Sequence, residues 1–345
     1  MKGSSNKALC RCRQHPGRAA RIRCLWVTCL FYSFGSFLRT IPYETLHPSC
    51  EEPWLRLLSD AGMDLNCTGL PSWQQMTRLY GTKPIIVGLE RCAAYRQSVA
   101  AGVIPRIAGL YNTGTNALAK LFEANWNTDE MAWMLEGSYF KWDVPYGKHV
   151  PLHLRENVTV PARNPTPKDQ VLPIVLIKDP FWWMQSMCKN PYGVKWPHHD
   201  HCPNLVDREG RPVAVTTKYT FGTPKKNNVQ KFQIHYASLV HLWNDYYREY
   251  FDSPQPRLLI RYEDLLYHGP EVLTAISTCV GLTMPTFRYV TETSKTHGSG
   301  ADFRQALTKY GNAAARLAPL TAADQQFARD MLDERLMTTF QYKYP

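Results

Sequence analysis

The chain has 345 residues, of which 20% are charged and 12% aromatic, a balance that supports a packed core and argues against a disordered polymer. Its net charge of +11 is unevenly placed, because Lys2, Lys7, Arg11, Arg13, Arg18, Arg21, Arg23 and Arg39 all precede the first acid, Glu44. Those eight leave +3 for the rest, so the basic balance belongs to a terminal tail and implies no nucleic-acid partner.

Residues 1–23 read as a basic cytosolic tail. Residues 24–38 are uncharged and bracketed by Arg23 and Arg39. At the helical rise they span ~22 Å, short of the ~20 residues of an ordinary span, with snorkelling arginines to close part of the gap. A signal anchor is the favoured reading, with the basic side in the cytosol; a cleavable signal peptide is the rival. Residues 39–83 contain scattered Pro, Gly and Trp and read as a stem or irregular preface. Beyond the anchor lie Cys50, Cys67, Cys92, Cys188, Cys202 and Cys279, whose fifteen possible pairings stay open. Asn66-Cys-Thr68 and Asn157-Val-Thr159 are glycosylation sequons should the chain reach an oxidising lumen.

From residue 84 onward the pattern alternates. Strands are predicted at 85–87, 104–110, 174–177 and 258–260, and helices at 90–99, 116–126, 181–187, 233–250 and 271–280. This predicts an α/β fold, a P-loop-like parallel β-sheet flanked by helices on both faces, with ligands beyond the C-terminal ends of the strands.

The stretch Gly109-Leu-Tyr-Asn-Thr-Gly-Thr-Asn116 falls where a strand gives way to a helix. A small-residue loop there aims backbone N–H groups and a positive helix end at an anion. It is not a Walker A loop, since Thr115 and Asn116 stand where Lys and Ser or Thr should follow. Next, Lys178-Asp179-Pro180 ends a buried strand, and Ser186 follows on an aromatic-rich helix; a cation and a hydroxyl so spaced can converge on one phosphate. Last comes Arg261-Tyr-Glu-Asp-Leu265, behind the helical stretch Leu242-Trp-Asn-Asp-Tyr-Tyr247.

In that order these three motifs, within roughly residues 85–290, resemble those of the sulfotransferase family, of the membrane-anchored Golgi type. The resemblance implies a sulfotransferase-like domain at 84–345 that moves a sulfuryl group from 3′-phosphoadenosine-5′-phosphosulfate to a hydroxyl or amine. It also implies a carbohydrate or secreted-protein acceptor, and a single-pass type II Golgi membrane protein with a lumenal catalytic domain. Asn112, Thr113, Gly114, Thr115 and Asn116 would cradle the 5′-phosphosulfate, and Lys178 and Ser186 the 3′-phosphate. Lys295 and Ser299, in a Gly-containing stretch, are carried over as further 3′-phosphate contacts.

One position departs from the pattern. Asn112 stands where the family has Lys or Arg, so the loop lacks its full charge. Lys120 and Lys148 are the candidate substitutes. For the base, His149 is chosen because imidazole accepts a proton near neutral pH, with Glu136 second. His198-His-Asp-His-Cys202 contains metal-ligand residue types, but four donors so close in one loop rarely surround one ion, and no metal is predicted. Two other functions remain open: a nucleotide-binding descendant without turnover, and a Golgi glycosyltransferase. The second is disfavoured because no Asp is followed two residues later by another.

Overall fold

A run that is apolar at every position, as Val171 to Ile177 is, can be buried on both faces only inside a covered sheet. The computed structural model of the chain places it there. The structure describes residues 50–99, 102–127, 142–158, 167–221, 230–284, 286–292 and 302–345. Residues 46–345 form one compact unit.

The main sheet has four strands, β1 (Ile86–Val87), β2 (Ile104–Ala108), β3 (Val171–Ile177) and β7 (Leu258–Arg261), in the order β1-β7-β3-β2. β2, β3 and β7 run parallel, with Ile107 opposite Ile174 and Val175 opposite Leu259. β1 runs antiparallel to β7, so the sheet is only partly parallel. A two-residue edge strand needs no helical crossover, and an Asp264 oxygen accepts the Ile85 N–H at 2.8 Å to fix its start. On the opposite edge, residues 142–144 add a parallel bridge beside Ile107.

Side chains of β3 alternate between two cores. Val175 and Ile177 pack with α5 (Pro180–Lys189) and α6 (Leu239–Phe251); Ile174 and Leu176 pack with α4 (Thr115–Asn125) and α8 (Gly269–Val280). Helices therefore cover both faces. Two of them start at side-chain caps: the Asp179 carboxylate accepts from the Phe181 and Trp182 amides, and Ser238 serves α6 in the same way.

Three expectations need correction. The helix predicted at 233–250 begins only at Leu239, because Gln230–Tyr236 is strand β6. β6 belongs to a second, antiparallel sheet with β4 (Val194–Lys195) and β5 (Val215–Phe221), in which Val215 faces Tyr236. Nor are residues 50–83 an irregular preface. They hold α1 (Glu52–Asp60) and α2 (Trp73–Tyr80), whose Trp54, Leu58, Met76 and Tyr80 are buried, and Ser72 and Gln75 form a capping box. Finally, among the described residues no helix is long and apolar enough to cross a membrane. The expected N-terminal anchor, type II topology and Golgi membrane address find no support there and are not carried further. Residues 1–23 and 24–38 lie outside the described residues.

Shorter helices, α3 (Cys92–Ser98) and α7 (Tyr262–Tyr267), flank the sheet's ends, and α9 (Phe303–Tyr310), α10 (Ala313–Leu317), α11 (Ala322–Met331) and α12 (Glu334–Thr339) finish the chain. The open question of pairing is resolved as Cys50–Cys67, Cys92–Cys279 and Cys188–Cys202.

Candidate anion-binding site

The loop between β2 and α4 is held by close approaches that only glycine permits. At Gly109 a Cβ would stand 2.7 Å from Thr113 Oγ1 and 2.8 Å from the Leu176 carbonyl oxygen. Gly114 has φ +91°, and a Cβ there would meet the Tyr262 ring at 2.3 Å. Thr113 is fully buried and its hydroxyl donates to the Leu110 carbonyl at 2.8 Å. No side chain caps the first turn of α4. The dipole at this helix end favours an anionic neighbour.

Lys178 meets this loop directly. Its ammonium donates to the Asn112 carbonyl at 3.2 Å, to Ser186 Oγ at 3.2 Å and to the Tyr310 hydroxyl at 2.7 Å. It also faces the Tyr262 and Tyr310 rings at 4.9 Å and 4.6 Å, and is 2% exposed. Lys178 and Ser186, the expected 3′-phosphate contacts, are thus joined in an internal tie between the end of β3, α5 and the loop, which satisfies the buried ammonium from within. Asn112 adopts φ +64°, and its side-chain amide donates to the Asn190 carbonyl at 2.8 Å and lies 3.1 Å from Met187 Sδ. That amide serves the end of α5.

A cation reaches the loop from another segment. Lys148 Nζ lies 3.1 Å from Asn116 Oδ1 in the first turn of α4, and 3.4 Å from Asp143. Its carbonyl accepts from the Gly109 amide at 2.8 Å and from the Tyr246 hydroxyl at 3.0 Å. The adjacent His149 places Nδ1 2.7 Å from the Gly109 carbonyl. A carbonyl can only accept, so Nδ1 carries the hydrogen and Nε2 keeps a lone pair. Glu136, Lys295 and Ser299 lie outside the described residues. Lys120 is on α4.

Burial dominates the electrostatics here. It pushes the His149 imidazole down to about 3, with Lys148 adding to the effect and the Gly109 carbonyl opposing it. Asp143 is raised to about 6 by burial, against the pull of Lys148 and Arg106. Arg106, on β2 and 1% exposed, is lowered to about 10 by burial, with Asp143 opposing. Sequence reasoning missed Asp143, and nothing in its neighbourhood signals a sheet-edge acid. It also missed what the late motif does. Arg261 and Asp264 form a fully buried ion pair at 2.5 Å that also reaches the Tyr80 and Phe340 carbonyls, while Glu263 accepts from the Asp179 amide and the Tyr342 hydroxyl. Arg261-Tyr-Glu-Asp-Leu265 is a structural clamp whose Tyr262 roofs Gly114.

The loop rich in His and Cys is spoken for. Cys202 is bonded to Cys188, His201 Nε2 sits 2.6 Å from Asp324, and His198 Nδ1 contacts the Trp196 carbonyl oxygen. An open groove of about 460 Å³ lies elsewhere, against β6 and α6. His153, Tyr236, Asp245 and Glu249 are in its lining, and none of its lining residues belongs to the loop.

Comparison with family models, with curated proteins and with solved structures finds no match for this chain. The resemblance to sulfotransferases is therefore confined to the quoted motifs and does not amount to membership. Nothing in those comparisons supports the family identity or the Golgi and glycoprotein attributes that went with it.

Proposed function

We propose that the chain binds 3′-phosphoadenosine-5′-phosphosulfate with its phosphosulfate end in a P-loop-like cradle formed by residues 109–116, and transfers the sulfuryl group to a hydroxyl or amine of a carbohydrate or other acceptor. The acceptor oxygen or nitrogen attacks sulfur, the bond from sulfur to the bridging oxygen breaks, and adenosine 3′,5′-bisphosphate leaves. The amides at the head of α4 and the Lys148 ammonium take up the charge on the leaving phosphate. His149 Nε2 is unprotonated at neutral pH because burial and Lys148 lower its pKa to about 3. It accepts the hydrogen bond of the attacking group and receives its proton only as negative charge builds on the bisphosphate leaving beside it. Lys178 and Ser186 hold the loop in shape.

The observation that carries this reading is the placement of Lys148 and His149 together against Gly109 and Asn116, which supplies the cation that Asn112 does not. A second reading, binding without turnover, is favoured by the commitment of the Asn112 amide to Asn190.

Thermal unfolding of the full chain with adenosine 3′,5′-bisphosphate tests the binding step. At a hundredfold excess over Kd, a bound ligand stabilises by about 2.7 kcal/mol, and the midpoint should rise by several degrees. Lys148→Ala should lose most of that rise. A rise with nucleotide sugars and none with the bisphosphate would sink the proposal in favour of glycosyl transfer. Labelled donor then separates the two readings: a rise in midpoint without transfer to any glycan or protein pool leaves binding alone.

A further inference from the structure

Three aromatic rings lead outward from the candidate base. His149 and Tyr111 have ring centroids 4.2 Å apart, and Tyr111 stacks on Tyr192 at 5.2 Å with only 14° between planes. The main chain under the middle ring is held, because the Trp183 indole N–H donates to the Tyr111 backbone carbonyl at 2.9 Å. The outer ring is unusual on two counts. Tyr192 is 55% exposed, and its backbone has φ +50°.

Both features disfavour tyrosine at this place. A bulky residue at positive φ is a conformational outlier, and Asn or Gly would make the turn with less strain. An exposed ring gains little from burial. Strain kept where packing does not require it is characteristic of a binding surface.

We propose that Tyr192 is an acceptor-binding residue whose outer face stacks on a saccharide ring, and that the acceptor is an oligosaccharide at least two rings long. This rests on the assignment of His149 as the base. A ring on the outer face of Tyr192 forms a further layer beyond Tyr111, too far out to offer its own hydroxyl to Nε2. The stacked ring therefore belongs to a part of the acceptor remote from the reacting hydroxyl, and its binding energy orients that hydroxyl. A single-ring phenol or alcohol would leave Tyr192 unused. The apolar face of a pyranose fits a flat, half-wet aromatic ring whose edge remains in water.

The test is saturation-transfer NMR and titration of the full chain with chitotetraose, with N-acetylglucosamine and 2-naphthol as the short comparisons. The tetrasaccharide should bind, Tyr192→Ala should weaken it about fivefold to tenfold, and Tyr192→Phe should leave it unchanged. The affinity of N-acetylglucosamine should not depend on residue 192, and the unfolding midpoints of the variants should stay near that of the unaltered chain. Equal tetrasaccharide binding by Tyr192→Ala, no tetrasaccharide signal in the unaltered chain, or a loss confined to 2-naphthol would each overturn the proposal. The bisphosphate midpoint is read separately. If it does not move while the tetrasaccharide results hold, sulfuryl transfer fails and the stacking site stands.

Discussion

His149 is kept neutral against the pull of the contact that aims it. Its Nδ1 hydrogen goes to Gly109, while burial and the Lys148 ammonium lower its pKa from 6.5 to about 3. The unfolded chain takes up this proton near 6.5 and the native chain only near 3, so acid favours unfolding across that interval. The native state has its full advantage above 6.5 and loses it as pH falls. Asp143 acts in the opposite sense: its native pKa of about 6 lies above the ordinary 3.8, so ionisation erodes stability as pH rises between the two. Replacing His149 by Gln removes the first slope and leaves the second. Urea unfolding at about pH 7.5 and about pH 5 should show the midpoint advantage of the native sequence over His149→Gln shrinking at the lower pH. A constant difference would show that the imidazole is not held neutral by its surroundings.

At the scale of elements, the β2–α4 loop depends on Tyr262 more than on its own residues. A methyl group at Gly114 would collide with the Tyr262 ring, which is itself boxed in by Tyr310 at 5.0 Å and by Lys178. Gly210 is a natural comparison, at φ +77° with nothing within 4 Å of where a methyl group would stand. Gly210→Ala should lower stability by about 1 kcal/mol, from backbone strain alone. Gly114→Ala should lower it by about 2–4 kcal/mol, because overpacking adds to the strain, and should abolish the bisphosphate effect. Equal losses in urea titrations would mean that the roof yields. The strands β2, β3 and β7 and the helices α4 and α5 were legible in the sequence, because continuous apolar runs and helical spacing are local signals. β6 was not. Phe232, Ile234 and Tyr236 alternate over a few residues before an amphipathic helix, and only pairing with β5 decides their state. The site was legible to the same extent: spacing located Lys178 and Ser186 but gave no hint that Lys178 is buried. Lys148 could be nominated, yet its contact with Asn116 spans 32 residues and follows from the bridge at Asp143.

Across the whole molecule, the three disulfides divide the work unequally. Cys188–Cys202 closes a separation of 14 residues and Cys50–Cys67 one of 17, whereas Cys92–Cys279 joins α3 to α8 across 187. The long bridge encloses β2, the anion loop, β3 and β7, so every parallel strand and the candidate site lie within one covalent ring. Restriction of the unfolded chain grows with the logarithm of the enclosed length, which gives roughly 5 kcal/mol for the long ring and roughly 3 for the shortest. Both cysteines of the long bridge lie in the core formed by α3, α4 and α8, on the sheet face that does not carry Lys178 and α5, so their removal should loosen the unfolded state and leave the loop's local contacts in place. The paired change Cys92→Ala with Cys279→Ala should therefore be the more destabilising by about 1–2 kcal/mol compared with Cys188→Ala with Cys202→Ala. The second pair should nevertheless do more damage to the site, since the bridge at Cys188 begins in α5 beside Met187 and Asn190, the partners of Asn112. Urea titration of both double variants, each with and without adenosine 3′,5′-bisphosphate, separates the two effects. A larger stability loss from the short bridge would show that loop length does not set the order, and an unchanged bisphosphate response there would show that the loop does not depend on the end of α5.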